Sequence, residues 1–190
     1  MHSPVPRVPQ QPASHRPDLL ASRRPEIQLG RLTAELATVV ASARRRALRD
    51  GDRQIDTAHL LHSLIESDPE VGAAFEGGPP QLARVLGYLV QRSIGYGLRW
   101  RGSVEDSGAL EVVRDTAAAA AAAGWSPTAA AAMGGAWERA ALRGDQRARG
   151  LDLLAVIAAD PESRAVEVLG RAGVDPRALA DRIGELSQQV

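Results

Sequence analysis

The chain has 190 residues, a formal net charge of zero, no cysteine and no lysine, every basic side chain being arginine or histidine. That excludes disulfides and a thiol nucleophile, argues against a dedicated polyanion binder, and removes the lysine a P-loop needs to reach nucleotide phosphates. Hydrophobic residues make up 44% but aromatics only 3%, so aliphatic side chains and alanine must fill the core.

Residues 1–26 are rich in Pro, Ser, Arg and Gln without apolar periodicity, and are expected to be a disordered tail. They lack the apolar core of a signal peptide. No apolar run approaches the roughly 20 residues of a membrane span, so a cytoplasmic location is expected. Leu32, Leu36, Val39, Val40, Ala43 and Ala47 form one stripe of a helix. Asp50-Gly51-Asp52 should stop it, because glycine accepts the left-handed conformation of a C-terminal cap. Thr57 is expected to cap a second helix, with Leu60, Leu61, Leu64 and Ile65 inward. Asp68-Pro69 starts a short third helix. After Gly77-Gly78-Pro79-Pro80, residues Leu82, Val85, Leu86, Leu89 and Val90 form the stripe of a fourth.

The plan then recurs. Ser126-Pro127 starts a helix with Met133, Trp137 and Ala140 on one face. Gly144-Asp145 repeats Gly51-Asp52, and Leu153-Leu154 repeats Leu60-Leu61, both 93 residues later (144 − 51 and 153 − 60). Asp160-Pro161-Glu162 repeats Asp68-Pro69-Glu70 with a slip of one. Asp175-Pro176 starts a last helix through Leu179, Ile183 and Leu186. An internal repeat of about 90 residues follows. Between the copies, Leu110, Val113 and the run Ala117–Ala123 predict an extra helix.

Leu32-Thr33 opening an Ala- and Arg-rich helix, then Gly51, then Ile55-Asp56-Thr57-Ala58-His59-Leu60-Leu61, resembles the Clp amino-terminal repeat domain, the module in front of the ATPase rings of Clp C-type and B-type unfoldases. The usual second-helix opening is Gly-Thr-Glu-His-Leu-Leu; here Asp56 replaces the Gly and Ala58 the Glu. The resemblance implies an all-α fold of two pseudo-twofold-related four-helix repeats, residues 27–93 and 125–190, with 94–124 as an inter-repeat linker. It implies a non-catalytic protein- or peptide-binding module related to Clp proteolysis: an adaptor, a competitor, or a protein that sequesters a ligand. Its partners would be a Clp unfoldase, the unfoldase's clients or a cyclic peptide. Some relatives read phosphoarginine with the Glu after Thr in each repeat. Here Ala58 and Leu151 stand there, so that activity does not carry over. Cyclic-peptide binding near the starts of the two first helices maps approximately onto Leu29, Leu32 and Trp125, although Trp125 equally suits a hydrophobic staple before its helix.

No GxSxG elbow, HExxH or P-loop is present, so no enzyme activity and no cofactor is expected. His59 and His62 share a helix face with Glu66, but a metal site needs three or four ligands; no metal is expected, and His59 suits a helix-end role better. Arg44-Arg45-Arg46 reads as a solvated face balanced by Asp50, Asp52 and Asp56. Together with Arg99 and Arg101 these arginines support the alternative of a nucleic-acid-associated accessory protein. The unusual residues are Tyr96, Arg99, Trp100 and Arg101 in the Gly-rich linker. They are of the types enriched at binding hot spots and are expected to carry the partner-binding specificity, or else to plug the gap between repeats.

Overall fold

The computed structural model describes residues 29–93, 103–105 and 124–188. The amino-terminal tail, the predicted helix around Ala117–Ala123, and Tyr96, Arg99, Trp100 and Arg101 lie outside these residues. The described residues contain eight α-helices: α1 (Ala34–Asp50), α2 (Thr57–Ser67), α3 (Pro69–Ala73), α4 (Gly78–Ser93), α5 (Pro127–Leu142), α6 (Gly150–Ala159), α7 (Arg164–Arg171) and α8 (Pro176–Gln188). The expected all-α class is therefore found.

Local chemistry sets the helix ends. Thr33 Oγ1 accepts from Leu36 N and starts α1, and Gly51 at φ 73° ends it. Ser126 Oγ accepts from Ala129 N at 3.1 Å to start α5, and Ser163 caps α7. Asp68 and Asp175 cap α3 and α8, each just before a proline. At α2 the expectation fails by one residue. The cap is Asp56, whose Oδ1 accepts from His59 N at 2.9 Å, and Thr57 is the first helical residue with other work for its hydroxyl.

Helices α2 and α6 lie at the centre. Every residue from Thr57 to Leu64 is buried, and so is nearly all of α6; a helix apolar on all sides suits such a position. The stripe of α1 packs on α2, and α5 and α8 pack on α6. Helix α4 is peripheral: Val85 and Leu89 are buried, Leu82 and Leu86 partly so, and Val90 is exposed, not inward as its spacing suggested. Arg31 lies 5.3 Å above the half-buried Trp137 ring.

Two short parallel bridges each join the lead-in of a central helix to the lead-in of α1 or α5. Leu32 pairs with Ala148, and Ile55 with Trp125. Thr33 N donates to Ala148 O at 3.0 Å and Ala148 N to Arg31 O at 2.9 Å, while Ile55 N and Ser126 N complete the other bridge at 2.8 Å each. Leu32 and Trp125 are 93 residues apart, as are Ile55 and Ala148 (125 − 32 and 148 − 55). Leu32 and Trp125 are both buried. Both side chains belong to the hydrophobic core cluster.

The start of α6 is tight. A Cβ on Gly150 would fall against Asp68 Oδ2 and 3.2 Å from Leu64 Cδ2, while Asp68 is held in place by Glu70 N at 3.0 Å. Helix propensity alone favours Gly→Ala by about 1 kcal/mol, but overpacking costs about 1–3 kcal/mol. Gly150→Ala is therefore expected to destabilise in urea titration, and to become stabilising when Asp68→Ala removes the obstacle. Stabilisation in the wild-type background would contradict the packing.

Candidate functional site

The polar residues of the interior gather at the amino-terminal end of α2. Glu105 reaches in from the segment between α4 and α5 and is 4% exposed. Its Oε2 accepts from Thr57 N at 2.9 Å and Ser126 Oγ at 3.0 Å. Its Oε1 accepts from Arg164 N at 2.8 Å and from the Thr57 hydroxyl. Thr57 N and Arg164 N open α2 and α7, so one carboxylate satisfies the orphan donors of two helix starts. The Arg164 guanidinium binds Asp56 Oδ2 at 2.7 Å and the Ser103 carbonyl at 2.8 Å. Arg92 from α4 also pairs with Asp56. Burial pushes the Asp56 carboxyl up, but its hydrogen bonds to His59 and the nearby Arg92 outweigh that and hold it well below the usual range.

His59 has the expected helix-end role. Its Nδ1 lies 2.8 Å from Asp56 Oδ1 and 3.1 Å from Asp56 N. Its Nε2 faces Asp52 Oδ2 at 3.2 Å and Asp50 Oδ2 at 3.7 Å, without a well-aligned hydrogen bond to either. Asp50, Asp52 and His59 are close enough to hold a cation. The positions 93 residues later show what this geometry does: Arg143, Asp145 and Asp152 stand there, and the Arg143 guanidinium binds Asp152 Oδ2 at 2.8 Å and Asp145 at 3.0 Å. There the Arg143 cation sits between two carboxylates and pins a helix-to-helix turn, as His59 stands beside Asp50 and Asp52. Burial works against a charged His59, but its hydrogen bonds to Asp52 and Asp56 outweigh it and raise its pKa.

His62 turns elsewhere, to Glu66 at 3.2 Å, so His59 and His62 do not share a ligand site. Burial, with Arg46 beside it, depresses the His62 pKa to about 4. The two histidines thus act with opposite sign. The stability His59 contributes is present below its unfolded pKa, near 6.5, and is lost as pH rises through its higher folded value. That of His62 is present above about 6.5 and is lost as pH falls toward 4. His62→Gln should flatten the fall in melting temperature between about pH 6.5 and 4.5, and His59→Gln should flatten the fall on the alkaline side. Parallel pH profiles for all three proteins would refute the assignment.

A second polar region is open to solvent. A cleft of about 940 Å³ lies between the carboxyl-terminal end of α5, the α5–α6 loop, Thr33 and the last turns of α8. Arg139, Arg143, Arg147 and Arg149 line it, with Asp145 as the one lining carboxylate. Arg143 is engaged by Asp145 and the buried Asp152.

No family model matches the sequence, and no curated protein matches it. Among solved structures, the chain matches the N-terminal domain of the caseinolytic protease associated chaperone ClpD from Arabidopsis thaliana. Identity is 17% and the TM-score 0.58, over 86% of this chain and 98% of that one. The fold resembles that of a Clp chaperone amino-terminal domain. Among the described residues no helix is long and apolar enough to cross a membrane.

Of the residues singled out in the sequence, the structure brings Asp56, Thr57 and His59 into the buried network. Arg44 and Arg45 are exposed on α1, and Arg46 pairs with Glu66. Asp50, Asp52 and Asp56 face Ser93, His59, Arg92 and Arg164. Ala58 and Leu151 are both buried. Sequence reasoning missed Glu105, Arg164 and the arginine-lined cleft. The cleft forms only where its arginines meet Thr33 and the last turns of α8, and Glu105 had no local signal.

Proposed function

We propose that the chain is a non-catalytic binding module that engages protein or peptide partners connected with Clp proteolysis, as an adaptor, a competitor or a ligand-sequestering protein. The observation that carries this is the likeness of fold, over most of the chain, to the N-terminal domain of a Clp-associated chaperone. The ion networks around Asp56 and Asp152 support it, since their charged groups are used in joining helices. In this reading residues 27–93 and 125–190 are two copies of one unit, supported by the recurring helix order and the paired bridges. Tyr96, Arg99, Trp100 and Arg101 carry recognition in the inter-repeat segment, which Glu105 anchors beside α2.

The test is equilibrium binding of the purified chain to a purified Clp C-type unfoldase, its client peptides and a Clp-directed cyclic peptide. Saturable binding to at least one is expected, weakened by Trp100→Ala with little change in melting temperature. Binding to none of them, together with nucleic-acid binding that weakens steeply with salt, would replace this reading with the nucleic-acid alternative.

A further inference from the structure

The arginine-lined cleft has more positive charge and more hydrogen-bond donors than its own residues satisfy. Four guanidiniums stand against the carboxylates of Asp145 and Asp152, which leaves two positive charges in excess. Arg147 and Arg149 have no carboxylate within ion-pairing distance among the described residues, and Arg139 reaches Asp152 only at 4.0 Å. Arg139 Nε, Arg149 Nε and Ser187 Oγ are buried in the cleft wall without a hydrogen-bond partner. Buried donors without acceptors are uncommon and costly in a folded protein. What a ligand can reach is the excess of guanidiniums over carboxylates along the cleft, which suits a ligand rich in acceptor oxygens.

The chain supplies its own comparison. Thr33 lines the cleft, and Ser126 stands 93 residues later at the start of α5 (126 − 33). The Ser126 hydroxyl donates to the carboxylate of Glu105, whereas the Thr33 hydroxyl has no acceptor among the described residues. Where the protein completes one of these two places itself, it does so with a carboxylate.

We propose that this cleft binds an acidic peptide segment, with one or two Asp or Glu carboxylates on Arg139, Arg147 and Arg149 and a neighbouring apolar side chain on Leu142. The planar guanidinium fork matches a carboxylate in two places at once. Leu142 is 89% exposed at the rim and offers the apolar contact. Asp145 and the absence of any aromatic ring among the lining residues disfavour a nucleic acid, which needs an unbroken basic track and stacking platforms. The proposal rests on the binding-module reading and names the partner chemistry for one of its surfaces.

The probe is a fluorescein-labelled peptide of alternating Glu and Leu, followed by anisotropy, with a Gln-for-Glu peptide and a single-stranded oligonucleotide as the other arms. The Glu peptide should bind saturably and weaken with salt, and the Gln peptide should bind at least about tenfold more weakly. Arg147→Gln with Arg149→Gln should weaken the Glu peptide by about tenfold or more while circular dichroism melting is preserved. Should that pair not fold, Arg147→Gln alone serves, since Arg147 is exposed and in no ion pair among the described residues. Arg84→Gln, on the exposed side of α4, should change nothing. No saturable Glu-peptide binding, equal binding of the Gln peptide, an equal loss from Arg84→Gln, or tighter binding of the oligonucleotide would each overturn the proposal. Partner capture by the wild-type chain that survives the double substitution would overturn this site alone and leave the module reading standing.

Discussion

Glu105→Ala is expected to lower stability by about 3–5 kcal/mol, because it leaves several buried donors without an acceptor at about 1–3 kcal/mol each. The carboxylate accepts from Thr57 N, Thr57 Oγ1, Ser126 Oγ and Arg164 N. Its removal strands the first amide of α2 and the first amide of α7 in a site closed to water. The Arg164 guanidinium keeps Asp56 but loses the anchored Ser103–Glu105 backbone beside it. At about 2–4 °C per kcal/mol for a domain of this size, the melting temperature should fall by roughly 10 °C. Glu105→Gln separates charge from shape. An amide can accept from part of this donor set, but its NH₂ must face another donor, so it should recover only part of the loss. A melting temperature within about 2 °C of wild type for Glu105→Ala would mean that the contact does not persist in solution.

What could be read in advance divides along the range of each interaction. Helix ends were legible because they are local: Gly51, Asp68-Pro69, Ser126-Pro127 and Asp175-Pro176 act within one turn of the residues they cap. The helix-end role of His59 was legible for the same reason, its cap partner being three residues away. Thr57 was misread because Asp56 and Thr57 are both able to cap. What separates them is Glu105, 48 residues on, which takes the Thr57 hydroxyl. Val90 was misread because helical spacing reports a face, not how much of that face a neighbour covers. Leu32 and Trp125 were rightly seen as apolar and near helix starts. Their burial depends on bridges to Ala148 and Ile55, which no local pattern encodes. The Arg164–Asp56 pair spans 108 residues and lay beyond any spacing rule. The cleft needed its Arg side chains placed against α8, so composition, with its zero net charge, hid a local excess.

The other large effect is expected at the centre of the helical core. Leu61 is 0% exposed on α2, the helix that packs against α1, α3 and α4 as well as α6 and α7 of the other half. Leu61→Ala removes three carbons from a site with packed neighbours on all sides, and should cost about 2–5 kcal/mol, the transfer loss plus the cavity left behind. Leu154 holds the corresponding place on α6, 93 residues later (154 − 61), and is also 0% exposed. If the two helices play equivalent parts, Leu154→Ala should fall in the same range. Both variants should then unfold in one transition, because the Ile55–Trp125 and Leu32–Ala148 bridges tie the lead-ins of the two central helices to the other half. Leu48, on α1 but 74% exposed, is the matched control, and its truncation should stay within about 0.5 kcal/mol. Urea titrations with a shared m value give all three numbers. A cost below about 1 kcal/mol at Leu61, or two separate transitions, would show that α2 is not the centre of a single cooperative core.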